Sequence, residues 1–233
     1  MAYYLKILKL EFIDIPTEQT TAATDAILAV FAIAAVLYLI QVRKIDRFKT
    51  ALWICIFSLL ALAAMLGTAV HGFKMSQSLR PFLWHILYLS LGQLVAFFVL
   101  AVVYDLWGKS LVKKVLPIII AAGIGFFSIT LIWPDRFLVF IIYELVAMLF
   151  ALGGYIWLSI QHRLSGSWLM VFGVLITIIA AGVQAGNRVS FTFIWTFDYN
   201  GAYHLIQMPA ILFLVAGLRR AINNPGKINM NSA

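Results

Sequence analysis

His71, His204 and Glu144 have the greatest chemical potential in this chain, because each lies in or beside a long apolar run. An imidazole offers a metal ligand or a proton acceptor near neutral pH. Asn200, His204 and Gln207 are spaced by four and three, so a helix puts them on one stripe. Gln184 and Asn187, three apart, come just before. So many polar groups in apolar surroundings need partners, which could be a hydrogen-bonded network between two helices or a ligand or metal site. Upstream, "TEQTTAATD" carries Glu18, Thr21, Thr24 and Asp25. Its two acids are seven apart and share a helix face, which reads either as N-terminal capping or as an acidic wall able to meet a cation. His71 closes "GTAVHG", and His85, beside Trp84, opens the next run at a similar depth. Glu144 falls about nine residues into its run, roughly 13 Å deep at 1.5 Å per residue. A lone carboxylate there is costly, so it is expected to be protonated or paired and to face other helices, as a structural bond or a working group.

Several chemistries are missing. The chain has no nucleophile elbow, P-loop or HExxH motif. Its single cysteine, Cys55, rules out an intrachain disulfide and a CxxC metal module. No lysine lies deep in an apolar run, which argues against a retinal-type Schiff base.

The elements that must position these residues are set by hydropathy. The 233 residues are 64% hydrophobic and 11% charged, and mean hydropathy is +0.99. A soluble domain carries about 25% charged residues, and only a bilayer can hide this much apolar surface. Seven segments approach the roughly 20 residues needed to span hydrocarbon, at about 24–42, 50–71, 82–104, 112–133, 136–160, 167–187 and 201–219. The fold class expected is all-α, a polytopic membrane bundle of about seven transmembrane helices in one domain over 24–219. It is preceded by an extracytoplasmic segment, 1–23, and followed by a flexible cytoplasmic tail, 220–233. The first run is followed by further spans, so it is expected to insert and stay. Pro134 and Asp135 suit a tight turn between the fourth and fifth spans. The first 15 residues read as a short interfacial helix, a cover over the bundle's mouth or a loose tail.

The net charge of +8 reads as a topology signal, with no nucleic-acid partner expected. With the N-terminus outside, 11 of the 17 basic residues fall in inner segments, most densely at Arg43, Lys44, Arg47 and Lys49. That bias favours N-out and C-in. In this orientation Glu18, Asp25, His71, His85, Gln184, Asn187, Asn200 and His204 all lie toward the outer face.

This layout resembles the alkaline ceramidase and adiponectin-receptor superfamily of seven-helix hydrolases. Members carry a zinc-binding histidine near the end of the second helix and an HxxxH pair near the start of the seventh. His71 matches the first and His204 the second histidine of the pair. The first position of the pair is Asn200, the family's serine position is Gly67, and no acid follows shortly after His71. The resemblance implies zinc on His71 and His204, with His85 as a further donor and Asn200 orienting water or substrate. The activity implied is lipid amide or ester hydrolysis. The general pattern is also similar to bacterial seven-helix proteins, which implies the cytoplasmic (inner) membrane of a bacterium. Two other functions fit the residues. One is a non-enzymatic partner subunit or receptor-like scaffold held against another membrane protein and membrane lipids. The other is a proton-coupled transporter using Glu144 as a relay.

Overall fold

A computed structural model describes residues 11–133 and 137–224. Seven long helices account for most of them: α1 (Pro16–Val42), α2 (Arg47–Gly72), α3 (Leu79–Trp107), α4 (Lys109–Ile132), α5 (Leu138–Ile160), α6 (Ser167–Gly186) and α7 (Tyr199–Asn223). All seven are long and apolar enough to cross a bilayer, and the protein is an integral membrane helical bundle. The expected turn at Pro134 and Asp135, and the tail beyond Asn224, lie outside the described residues, as does the start of the N-terminal segment.

Helices α1, α2, α3, α4 and α7 start before the apolar runs that announce them, because polar end turns continue the same backbone, while α5 and α6 stay within theirs. The largest difference is in α1, which starts at Pro16, where a fixed φ suits the first helical position and no N–H is needed. The "TEQTTAATD" stretch is therefore inside the helix. Its N-cap is Ile15, with no side-chain cap, so Asp25 sits more than two turns in and does not cap. Elsewhere the caps follow local chemistry. Asp46 accepts from the Lys49 N–H at 3.0 Å to start α2. Asp198 accepts from the Asn200 and Gly201 N–H groups, both at 3.0 Å, to start α7.

Packing puts six helices in a closed ring, in the order α1, α2, α3, α5, α6, α7 and back to α1. α4 lies outside it, mainly against α3. Of α4 only Val112, Gly123, Phe126 and Thr130 are buried, and its exposed side carries Ile118, Ile124 and Ile132. Glycines let the layers meet. A Cβ on Gly92 would come 2.8 Å from the Gly123 carbonyl oxygen, and one on Gly173 would come 2.7 Å from Leu214. In a membrane, such small residues allow backbones close enough for van der Waals contact to hold helices together.

One end of the ring carries the start of α1, the end of α2, the starts of α3, α5 and α7 and the end of α6. The segment before α1 is strapped there. The Ile13 N–H donates to the Gly72 carbonyl at 3.0 Å, and the Lys74 N–H to the Glu11 carbonyl at 2.8 Å. Phe12 bridges to and stacks on Phe73. The Asp14 carboxylate, 2.6 Å from the Lys74 Nζ, holds that exposed ammonium above the usual lysine range. A raised lysine value means the contact's contribution is complete below the unfolded pKa and is lost as pH rises through the folded one. Isotope-labelled Lys74 should therefore titrate later than a free lysine; a midpoint at or below about 10.4 would show that the contact does not form in solution. Between α6 and α7, strands β1 (Phe191–Thr192) and β2 (Thr196–Phe197) make a small antiparallel hairpin. The Thr20 hydroxyl donates to the Thr196 carbonyl at 2.7 Å and pins the hairpin to α1.

The opposite end is closed by a dry ionic cluster. Lys49 Nζ lies 2.8 Å from Asp105 Oδ1, with both side chains under 5% exposed. The Tyr155 hydroxyl donates to Asp105 Oδ2 at 3.2 Å, so α2, α3 and α5 are tied together. Beside it, the Tyr104 hydroxyl donates to the Asp46 carboxylate at 3.2 Å.

Candidate functional site

The ring of six, with Thr130 of α4 reaching in, lines a cavity of about 1090 Å³ that reaches the strapped end. Ligand cavities usually measure roughly 300–1,000 Å³, so this one is large. α2 lines it on every turn from Trp53 through Phe57, Leu60, Ala64 and Gly67 to His71, positions 18 apart in sequence and so roughly 27 Å apart along the helix. α7 contributes a parallel stripe from Tyr199 to Leu214. The cavity is therefore tall, and its character changes with depth. Trp53, Ile56, Phe57, Phe98, Met148 and Leu214 make an apolar floor, and the polar residues gather in the upper half.

Ten of the polar residues singled out in the sequence line this one cavity, whereas Thr21 and Thr24 do not. From α1 come Glu18 and Asp25. From α2 and α3 come His71 and His85; from α5, Glu144; from α6, Gln184 and Asn187 at its end; from α7, Asn200, His204 and Gln207. The rim and the interior differ. His85, Asn187, Gln77 and Arg80 are exposed at the mouth, whereas Asp25, Glu144, Gln184, His204 and Gln207 are each less than a tenth exposed.

Two histidine–carboxylate pairs join α1 to its neighbours. His71 Nδ1 lies 2.7 Å from Glu18 Oε2, and the ring edge packs on Trp84 at 5.6 Å between centroids. His204 is bracketed on both nitrogens, with Nδ1 at 3.0 Å from the Thr24 hydroxyl and Nε2 at 3.3 Å from Asp25 Oδ1. Asp25 also touches α2, since a Cβ on Gly67 would run into its carboxylate. The carboxylate thus fills the space that a side chain at position 67 would need. The α6–α7 stripe is hydrogen-bonded as well. Gln184 Nε2 donates to Asn200 Oδ1 at 3.2 Å, and Gln207 Nε2 to the Thr177 hydroxyl at 3.1 Å. That hydroxyl donates in turn to the Gly173 carbonyl at 3.1 Å.

Not every polar atom is satisfied. Glu144 Oε2, Gln184 Oε1, Gln207 Oε1 and Trp53 Nε1 are buried without a hydrogen-bond partner among the described residues, and all four residues line the cavity. Buried polar groups are rarely left so. Among the described residues, no three His, Cys, Asp or Glu side chains are grouped to hold a metal ion.

Sequence reasoning missed Thr177, Tyr203 and Trp53 in the cavity, and the Lys49–Asp105–Tyr155 cluster at the far end. Asp105, an acid in the apolar run "VVYDLW", was the available signal for that cluster. Lys49 read as one of several loop cations. Thr177 gave no signal, because a threonine bonding back to its own helix is indistinguishable in sequence from one bonded across it.

No curated protein and no solved structure matches the chain. Residues 20–223, which hold all seven spans apart from the first turn of α1, match the model of one family, and the chain belongs to that family, DUF6962, a family of unknown function.

Proposed function

We propose that this protein binds an amphiphilic, lipid-like molecule in the cavity of its helix ring, with the polar end toward the strapped mouth. The observation that carries this is the division of one tall cavity into an apolar floor and a polar upper half. An alkyl chain buried there gains about 0.8 kcal/mol per methylene relative to water, and the polar half supplies orientation. The concentration of Arg43, Lys44, Arg47, Lys109, Arg163, Arg219 and Arg220 at the other end supports N-out, with the mouth on the extracytoplasmic face. This fits a protein of a bacterial cytoplasmic membrane. Gentle purification in lipid nanodiscs followed by native mass spectrometry should find one amphiphile retained per chain. Blocking the middle of the cavity with Ala64→Trp should expel it from a folded protein. Equal retention by the filled variant would sink the proposal.

A second reading makes the protein a zinc-dependent lipid amide or ester hydrolase, as its resemblance to the alkaline ceramidase and adiponectin-receptor superfamily implies. The Glu18–His71 contact favours it. A carboxylate on Nδ1 fixes the imidazole and leaves Nε2 for a ligand, the usual arrangement behind zinc-bound histidines. His71 and His204 would be the nitrogen donors, with Asp25, 3.3 Å from His204, or His85 at the rim completing the set. Zinc held there would acidify a water for attack on a carbonyl. Chelator-free preparations should then contain about one zinc per chain, and His204→Ala should remove most of it. Less than about 0.2 zinc per chain would eliminate the hydrolase reading and leave amphiphile binding standing.

A further inference from the structure

A groove of about 540 Å³ lies between α1 and α7. Its α1 wall is Phe31, Ala34, Ala35 and Tyr38, whose spacing puts them on one face of that helix. On α7 two neighbouring rows of four-residue steps line it, and both change character in the same turn. Ile211 and Val215 lead to Arg219 in one row, and Leu212 and Ala216 lead to Arg220 in the other. An apolar trough therefore ends in two guanidinium groups. Arg219 and Tyr38 each stand four residues before the end of their helix, at the end of the ring opposite the strapped mouth. Ile211 and Arg219 are eight positions apart, or roughly 12 Å, close to half of a hydrocarbon core about 30 Å thick. The groove is distinct from the central cavity, because Ile211, only 1% exposed, is the single lining residue the two share.

No acid lines the groove, and among the described residues neither arginine forms an ion pair. The carboxylates at this end are already engaged. Asp105 meets Lys49 and Tyr155, while Asp46 caps α2 and accepts from Tyr104. We propose that the groove holds one anionic phospholipid of the surrounding membrane, with its phosphate at Arg219 and Arg220 and an acyl chain along Val215, Ala216 and Phe31. A guanidinium presents a planar fork of N–H donors that suits phosphate oxygens, and the Tyr38 hydroxyl in the same groove is a further donor. The last carbonyls of α7 oppose an anion with only about half an elementary charge, less than two full guanidinium charges supply. Net charge selects the head group. A zwitterionic lipid would bring an ammonium to an end that carries Arg43, Lys44, Arg47 and Arg163 and offers it no unengaged carboxylate. An anionic phospholipid brings only the charge the groove lacks.

The full chain, delipidated in detergent, would be titrated with phosphatidylglycerol or with phosphatidylcholine of the same acyl chains, and bound lipid counted by native mass spectrometry. The first phosphatidylglycerol is expected to bind with a Kd about tenfold or more below that of phosphatidylcholine, because charge-assisted hydrogen bonds are at stake. Arg219→Gln with Arg220→Gln should bring the two lipids within about threefold of each other. Arg43→Gln with Lys44→Gln removes the same charge outside the groove and should change the phosphatidylglycerol Kd by less than about threefold. Ala216→Trp, which fills the apolar trough and keeps both arginines, should weaken phosphatidylglycerol about tenfold. If that variant does not fold, the two charge pairs still decide. Equal affinity for the two lipids, or no response to loss of the arginines, would overturn the proposal. An equal loss in the Arg43 and Lys44 variant would overturn it too, by showing attraction to diffuse surface charge. Ala64→Trp should leave phosphatidylglycerol in place; its loss there would put the lipid in the central cavity instead. Millimolar inorganic phosphate should not displace the lipid, and displacement would make this a free-anion site.

Discussion

Lys49→Met should destabilise the protein by about 3–5 kcal/mol, the cost of leaving a buried charge without its partner. The lysine and Asp105 are 2.8 Å apart, with side chains only 4% and 2% exposed. Water therefore cannot easily take over when one of them is removed. Losing the ammonium strands the Asp105 carboxylate among apolar side chains, with only the Tyr155 hydroxyl still donating to it. The double variant Lys49→Met, Asp105→Leu should recover most of the loss, because it removes both charges and their shared desolvation penalty. It should remain short of the wild type by about 1 kcal/mol for the orphaned Tyr155 hydroxyl. Reversible unfolding in detergent, followed by tryptophan fluorescence, would measure all three. A single variant within about 1 kcal/mol of the wild type would mean that this end of the ring is wet, with the pair screened as on an ordinary surface.

Gly67→Ala should disrupt the opposite end through one added carbon. A Cβ there meets the Asp25 carboxylate, which cannot swing away without leaving His204 at 3.3 Å. The expected cost is about 1–3 kcal/mol, the range for overpacking a close-packed interior. In an Asp25→Ala background the same substitution should cost under about 0.5 kcal/mol, because the obstructing group is gone. This coupling distinguishes a steric collision from a general dislike of a side chain in α2. A second readout is the His204 imidazole resonance, which should shift with Gly67→Ala and not shift further in the double variant. Additive stability losses, or an unmoved resonance, would mean that the carboxylate does not occupy this space. The collision also explains why position 67 carries no side chain: an acid from α1 fills that volume.

The sequence alone determined the membrane character, the seven spans and the stripe of Asn200, His204 and Gln207. Each follows from a one-dimensional rule, the apolar length needed to cross hydrocarbon or the 3.6-residue period that aligns positions on one helix. It also gathered the ten candidate polar residues toward one cavity, since counting spans tells which helix ends share a side and polar groups in lipid must turn inward. Which helices adjoin was decided only in three dimensions. Connectivity allows α4 a place in the ring, and it is excluded because α3 packs directly on α5 while Gly92 and Gly123 let α4 lie close against the outside of α3. The partners of the charged groups were likewise invisible. Asp25 reads as a capping acid or as part of an acidic wall, and its partners appear only once α1 is placed between α2 and α7, where it meets Gly67 on one side and His204 on the other. Lys49 reads as a loop cation until α3 presents Asp105 to it. Helical spacing fixes neighbours within a helix, whereas pairs 56 residues apart in sequence (Lys49 and Asp105) or 179 apart (Asp25 and His204) depend on helix order, rotation and depth, which only packing of the whole bundle sets.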